Sequence, residues 1–152
     1  MNQYIEKTNC IDCKHASNCF IQKIDQIEDF FNHQKVQINY KKGETIIKNG
    51  TYVSSVFYVL DGLVKVYLEG PDKNIIVKLL KSSDFLGLTS LYGDQSYYFS
   101  ATALSKTTIC SVEIENIRDL LSKSNKFTHE IVNWYCNNYN LMFNKCFDLG
   151  LK

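Results

Sequence analysis

Arginine is almost missing: of seventeen Lys and Arg side chains only Arg118 is Arg, and the formal net charge is +1. Without a basic excess, the chain is not expected to grip nucleic acid by itself. With one guanidinium, it also lacks the side chains for a planar, bidentate phosphate clamp. No apolar run approaches the length that spans a bilayer. The first twenty residues carry Glu6, Lys7, Asp12 and Lys14 and no apolar core, so no secretory signal is read. Also missing are G-x-S-x-G, a phosphate-binding glycine loop and H-E-x-x-H, and the three His (15, 33, 129) are scattered. An enzyme is therefore not expected. The single proline, Pro71, goes with abundant Lys, Asn and Ile and is read as coding bias.

What is present fits one soluble domain with a real core: 152 residues, 45% apolar and 22% charged. A reducing cytoplasm is the expected compartment. The six cysteines, at 10, 13, 19, 110, 136 and 146, are then not structural disulfides.

Three parts follow from the patterning. Residues 1–22 are polar and Cys-rich, with irregular structure expected. A short helix is predicted over 23–33, where Ile24, Ile27, Phe30 and Phe31 share a face. Residues 35–115 read as strands: 36–40, 45–48, 55–60, 63–68, 74–80, 84–91, 97–104 and 107–114. Asn49-Gly50 and Asp61-Gly62 are two-residue hairpin signals, the second a type I′ candidate between 55–60 and 63–68. Short strands bounded by such turns suggest a barrel or jelly roll. From 115 the period becomes helical, with a short helix over 115–122. A second helix, capped by Asn125 or Thr128, runs to about Asp148, with Gly150 beyond its end. One side of it carries Ile131, Tyr135, Tyr139, Met142 and Cys146; an adjacent stripe carries Val132, Cys136, Phe143 and Phe147. So wide an apolar surface implies a second contact, a partner helix. The chain is therefore read as a Cys-rich segment (1–22), a β domain (23–125) and a C-terminal helix that pairs with a partner helix (126–152).

Cys10, Cys13 and Cys19 are spaced C-x2-C-x5-C. Two Cys three apart can aim both sulfurs at one centre, and a five-residue loop brings in a third. Clustered thiolates select zinc or an iron–sulfur cluster, and both usually need a fourth ligand. Cys110, Cys136, Cys146 and His15 are the candidates. Zinc sites more often pair two C-x2-C knuckles, and only one is present. A thioredoxin-type use of Cys10 and Cys13 would need a preceding strand in a βαβ unit, which is not read here. Cys136 and Cys146 lie on apolar helix faces and read as packing residues. Strand alternation puts Cys110 opposite Ile109, either in the core or facing the N-terminal segment.

The run Lys42-Gly43-Glu44-Thr45, the segment Val56 to Tyr67 across Asp61-Gly62, Asp84-Phe85-Leu86-Gly87, and the strand and helix through Glu113 to Leu121 resemble the cyclic AMP receptor protein superfamily of regulators. The resemblance covers nearly the whole chain. It implies an α+β fold: a cyclic-nucleotide-binding-like β-roll (a double-stranded β-helix or jelly roll), with flanking helices and a long C-terminal helix that pairs two subunits. The family's helix-turn-helix DNA reader would follow where this chain ends, so DNA is expected as a partner only through a domain that this chain lacks.

Within the superfamily the chain resembles the FNR type, which holds an oxygen-sensitive [4Fe–4S] cluster on three N-terminal Cys and one barrel-strand Cys. The resemblance makes Cys10, Cys13, Cys19 and Cys110 the ligands; whether the cluster is [4Fe–4S] or [2Fe–2S] is open. It further implies a redox-gated dimer in which the cluster ties residues 10–19 to the strand of Cys110. The cyclic-nucleotide branch of the superfamily needs a Glu after the cassette glycine and an Arg on the next strand. Leu88 and Phe99 lie at or near those positions, so no nucleotide site is expected. A small-ligand sensor and a zinc-stabilised dimerisation module are the rival readings.

Overall fold

The computed structural model describes residues 4–6, 19, 35–93 and 95–150. The predicted helix over 23–33 lies outside them. Among the described residues the strands are β1 (Tyr4–Glu6), β2 (Lys35–Tyr40), β3 (Thr45–Ile47), β4 (Ser55–Asp61), β5 (Val64–Glu69), β6 (Asn74–Leu80), β7 (Phe85–Leu86), β8 (Ser100–Ala103) and β9 (Thr107–Glu113). Helices α1 (Ile114–Lys123) and α2 (Asn125–Gly150) follow. The strands form two antiparallel sheets, one ordered β1-β2-β9-β4-β7 and the other β3-β8-β5-β6. The chain divides into two compact units, Met1–Ile117 and Arg118–Lys152.

The long buried runs explain the sheet order. Residues 56–60 of β4 are all buried, and so are Ile109 and Cys110, successive residues of β9. Successive strand residues point to opposite faces, so both faces are covered there. These strands sit side by side inside the five-stranded sheet. β6 is an edge strand and leaves Ile75, Ile76 and Leu79 exposed.

Both dipeptide turns form, yet neither makes the expected hairpin. Asp61-Gly62 links β4 to β5, which belong to different sheets. A type I′ turn needs positive φ at both residues, and among the described residues Ser83 is the only non-glycine with positive φ. Gly62 has φ 112°, and a Cβ there would meet the Lys106 carbonyl oxygen at 2.7 Å. Only glycine fits this crossing. Leu104 N–H donates to the Leu63 carbonyl (2.8 Å), drawing the chain after Gly62 toward β8. At Asn49-Gly50 the reversal is closed by Thr51 N–H on the Lys48 carbonyl (3.1 Å), and β3 pairs with β8.

Other boundaries also move. β1, unpredicted, pairs antiparallel with the edge of β2. The expected strand over 84–91 shrinks to β7. Gly87 (φ 90°) then leads into a 3₁₀ turn, Leu88–Ser90. The strand expected from 97 begins at Ser100, because Tyr97 turns inward and its hydroxyl donates to the Ser55 carbonyl (2.7 Å). Ser124 caps α2, its hydroxyl oxygen accepting from Phe127 N–H (3.1 Å). Gly150 ends inside the helix, not beyond it.

Candidate metal centre

β9 carries Cys110 in the middle of its sheet, with β2 on one side and β4 on the other. Its cross-strand partners are Gln37 on β2 and Tyr58 on β4. Directly opposed residues of antiparallel strands share a face, with Cβ atoms about 5 Å apart. The period of two places Lys35 and Asn39 on that face, with Val112 and Thr108 as their partners. Thr108 donates to the Asn39 side-chain oxygen (2.7 Å). Tyr58 packs edge-on against Phe85, centroids 4.9 Å apart. The Cys110 sulfur thus lies on a face that carries aromatic side chains toward β4 and polar ones toward β2.

Burial on this face is deep. Cys110 is 2% exposed, Gln37 5% and Lys35 6%, and Cys19 is also buried, at 8%. Lysine is rarely buried to this degree unless paired, and none of these four residues is without a partner. Cys19, Cys110, Cys136 and Cys146 form no disulfide. Cys10, Cys13 and His15 lie outside the described residues. Among the described residues no three of His, Cys, Asp and Glu gather as a metal site. Cys136 and Cys146 are exposed on α2 in the single chain.

The positions that would read a cyclic nucleotide carry other chemistry. Leu88 is wholly buried. Phe99 is half-buried and stands edge-on to Tyr97 at 5.7 Å. Ser100, also wholly buried, accepts from Asn49 N–H (2.9 Å) and donates to Glu69 (3.3 Å). Glu69 pairs with Lys48. The hydrogen bond between them holds Glu69 below the usual carboxylate range and raises Lys48. Burial lowers Lys78, against the attraction of Asp84. Arg118 lies in α1, beyond the strands.

On α2, Ile131 is buried and Tyr135 half-buried in the single chain, whereas Tyr139 and Met142 are exposed. Val132, Leu141, Phe143, Phe147 and Leu149 are each more than half exposed as well. Among the described residues no helix is long and apolar enough to cross a membrane.

Sequence reasoning did not single out Lys35 and Gln37. The signal was present as a polar residue at every second position of 35–39. It became readable only when the register placed Gln37 opposite Cys110.

Comparison with known proteins gives a consistent picture. Residues 37–124 match the family described as "Cyclic nucleotide-binding domain". The nitrogen fixation regulation protein FixK of Bradyrhizobium diazoefficiens is 30% identical over 103 residues, covering 66% of this chain and 42% of the relative. The transcriptional activator protein FnrA of Stutzerimonas stutzeri is 27% identical over 121 residues, covering 75% of this chain and 48% of the relative. The chain spans about half the length of these curated relatives. In fold, it is similar to a CooA mutant of Carboxydothermus hydrogenoformans, with TM-score 0.67 and 20% identity over 95% of this chain and 87% of that one. It is also similar to the sensor domain of the transcriptional regulator DNR of Pseudomonas aeruginosa, with TM-score 0.63 and 13% identity over 72% of this chain and 75% of that one.

Proposed function

The chain belongs to the cyclic nucleotide-binding domain family, in its CRP/FNR type, and from that premise we propose that it is the sensory and dimerisation part of a transcription regulator that responds to oxygen or redox state. The observation that carries this reading is the depth of Cys19 and Cys110: two cysteines outside any disulfide, one in the Cys-rich segment and one mid-sheet, are both withdrawn from water. The rival zinc module would use the same thiols but offers no response to oxygen. The cyclic-nucleotide reading is disfavoured by Leu88 and Phe99, which give a ribose or cyclic phosphate no charged partner.

The donor set suits an iron–sulfur cluster. Thiolates are its usual ligands, and a cluster bound by four of them carries net negative charge. A buried ammonium and a buried amide on the face of Cys110 suit such an anion. Cys10, Cys13, Cys19 and Cys110 would hold it, and when bound it would supply a redox centre that oxygen can attack. Cys110 anchors one ligand on a strand that cannot shift without breaking two ladders. With the cluster bound, Cys10, Cys13 and Cys19 would tether the N-terminal segment to that anchor. The exposed face of α2 pairs with a second copy. Loss of the tether would weaken that pairing, and DNA would be engaged through the family's helix-turn-helix domain. This is a local metal event acting on a bistable interface, in a cytoplasmic protein.

The test is anaerobic purification followed by an absorption spectrum with iron and sulfide assays, before and after air. The expected result is a brown protein with a broad band near about 400 nm that bleaches in air. Cys110→Ser is expected to abolish the band while a folded β-sandwich persists by circular dichroism. A colourless protein holding one zinc, or no metal, would overturn the oxygen-sensing reading.

A further inference from the structure

We propose that Lys35 and Gln37 tune the metal centre from the second row, lowering its susceptibility to oxygen by placing one positive charge and one hydrogen-bond donor beside the Cys110 sulfur. The proposal rests on the iron–sulfur reading above and goes beyond it, because neither residue is a ligand.

The geometry is that of two adjacent strands. Gln37 and Cys110 are direct cross-strand partners, so their side chains leave the sheet on the same face. Lys35 lies two residues along β2, on that same face, opposite Val112. Its Cα stands diagonally from that of Cys110, at about 8 Å. All three are more than nine-tenths buried. The opposite side of Cys110 offers Tyr58 and Phe85, also buried. The same face also carries Thr108 on β9, the Tyr58 phenol on β4 and, opposite Gln37 on β1, the acidic residue Glu6. Lys35 is the cation of this set and Gln37 its amide directly opposite the sulfur.

Burial decides the size of the effect. At the surface a lysine about 8 Å from an anion is screened by water and salt and matters little. Withdrawn from solvent, the same charge acts through a lower effective dielectric. A positive charge beside a net-negative cluster favours its more reduced states. An amide N–H donated to a ligand sulfur works in the same direction, as outer-row donors do at metal sites generally. Removing either group makes the centre easier to oxidise.

A purely structural role is the competing account, in which Lys35 and Gln37 only satisfy their own partners. That role would change thermal stability but not the behaviour of each loaded centre. The experiment compares anaerobically purified whole chains carrying Lys35→Met, Lys35→Gln, Lys35→Arg or Gln37→Leu with the unaltered chain. The bleaching rate in air-saturated buffer is normalised to bound iron, and the midpoint potential is read by spectroelectrochemistry. Lys35→Met and Gln37→Leu are expected to bleach at least about threefold faster, with a more negative midpoint. Lys35→Arg, which keeps the charge, is expected to remain within about twofold of the unaltered rate. Lys35→Gln keeps the length and loses the charge, and it stands in should Lys35→Met fail to fold. Neutral variants that load full iron yet keep the unaltered rate and midpoint overturn the proposal. If the unaltered chain binds no iron or sulfide, the iron–sulfur reading itself fails, which is a different and distinguishable outcome.

Discussion

Tyr40 ends β2 with its ring buried, and burial, with the nearby Glu44 carboxylate second, pushes its hydroxyl from 10.0 to about 12. The folded protein therefore holds this proton more tightly than the unfolded chain does. The associated stability is fully present below pH 10 and is lost as pH rises from there through about 12. Denaturant titrations at pH 9 and near pH 11.5 are expected to show a loss in the unaltered chain that is smaller in Tyr40→Phe. The difference is on the order of 1–2 kcal/mol. Equal losses in the two proteins would mean that Tyr40 ionises as freely folded as unfolded. Residue chemistry of this kind was only half legible. The strand over 36–40 was legible in the sequence, but the carboxylate beside Tyr40 comes from the turn after β2.

At the scale of elements, α2 poses the clearest question. Val132, Tyr135, Tyr139, Met142, Cys146 and Leu149 recur at alternating spacings of three and four, the pattern of a two-helix seam. Most of these side chains are exposed in the single chain. An apolar stripe of this length is expected to be covered by a second copy. Met142→Glu places a charge in the middle of that seam and is expected to weaken pairing by about 2–3 kcal/mol per chain. Sedimentation would then show monomer at concentrations where the unaltered chain is dimeric. A variant that sediments like the unaltered chain would remove this face from the interface. Ile131, in phase with the stripe by sequence, is already buried in the single chain. Helical period ranks positions around an axis, but it does not say where along the axis the chain's own core stops.

At the scale of the whole molecule, the ladders of the core strands are made among described strands. β4, β5, β8 and β9 pair with one another or with other described strands. Removing metal by chelation under reducing conditions is therefore expected to leave this core folded. Hydrogen exchange of the β4, β5, β8 and β9 amides should match in metal-bound and metal-free protein. Wholesale loss of protection would instead make the metal a folding cofactor of the entire sandwich.

Strand periods, glycine turns and the switch to helical spacing were legible along the chain because each is set by local sterics and side-chain alternation. So were the C-x2-C-x5-C thiols and the absence of Glu and Arg at Leu88 and Phe99. Strand pairing was not. Asn49-Gly50 and Asp61-Gly62 signalled reversals, but the partners of β3, β4 and β5 were set by which sheet each strand joins. That choice is made by residues forty or more positions apart, as when Leu63 accepts from Leu104. The sequence by itself determined the repertoire of elements and the kind of ligand atoms. Only the tertiary structure decided that Cys110 stands opposite Gln37, with Lys35 buried beside it, because register across a sheet depends on the burial of both faces at once.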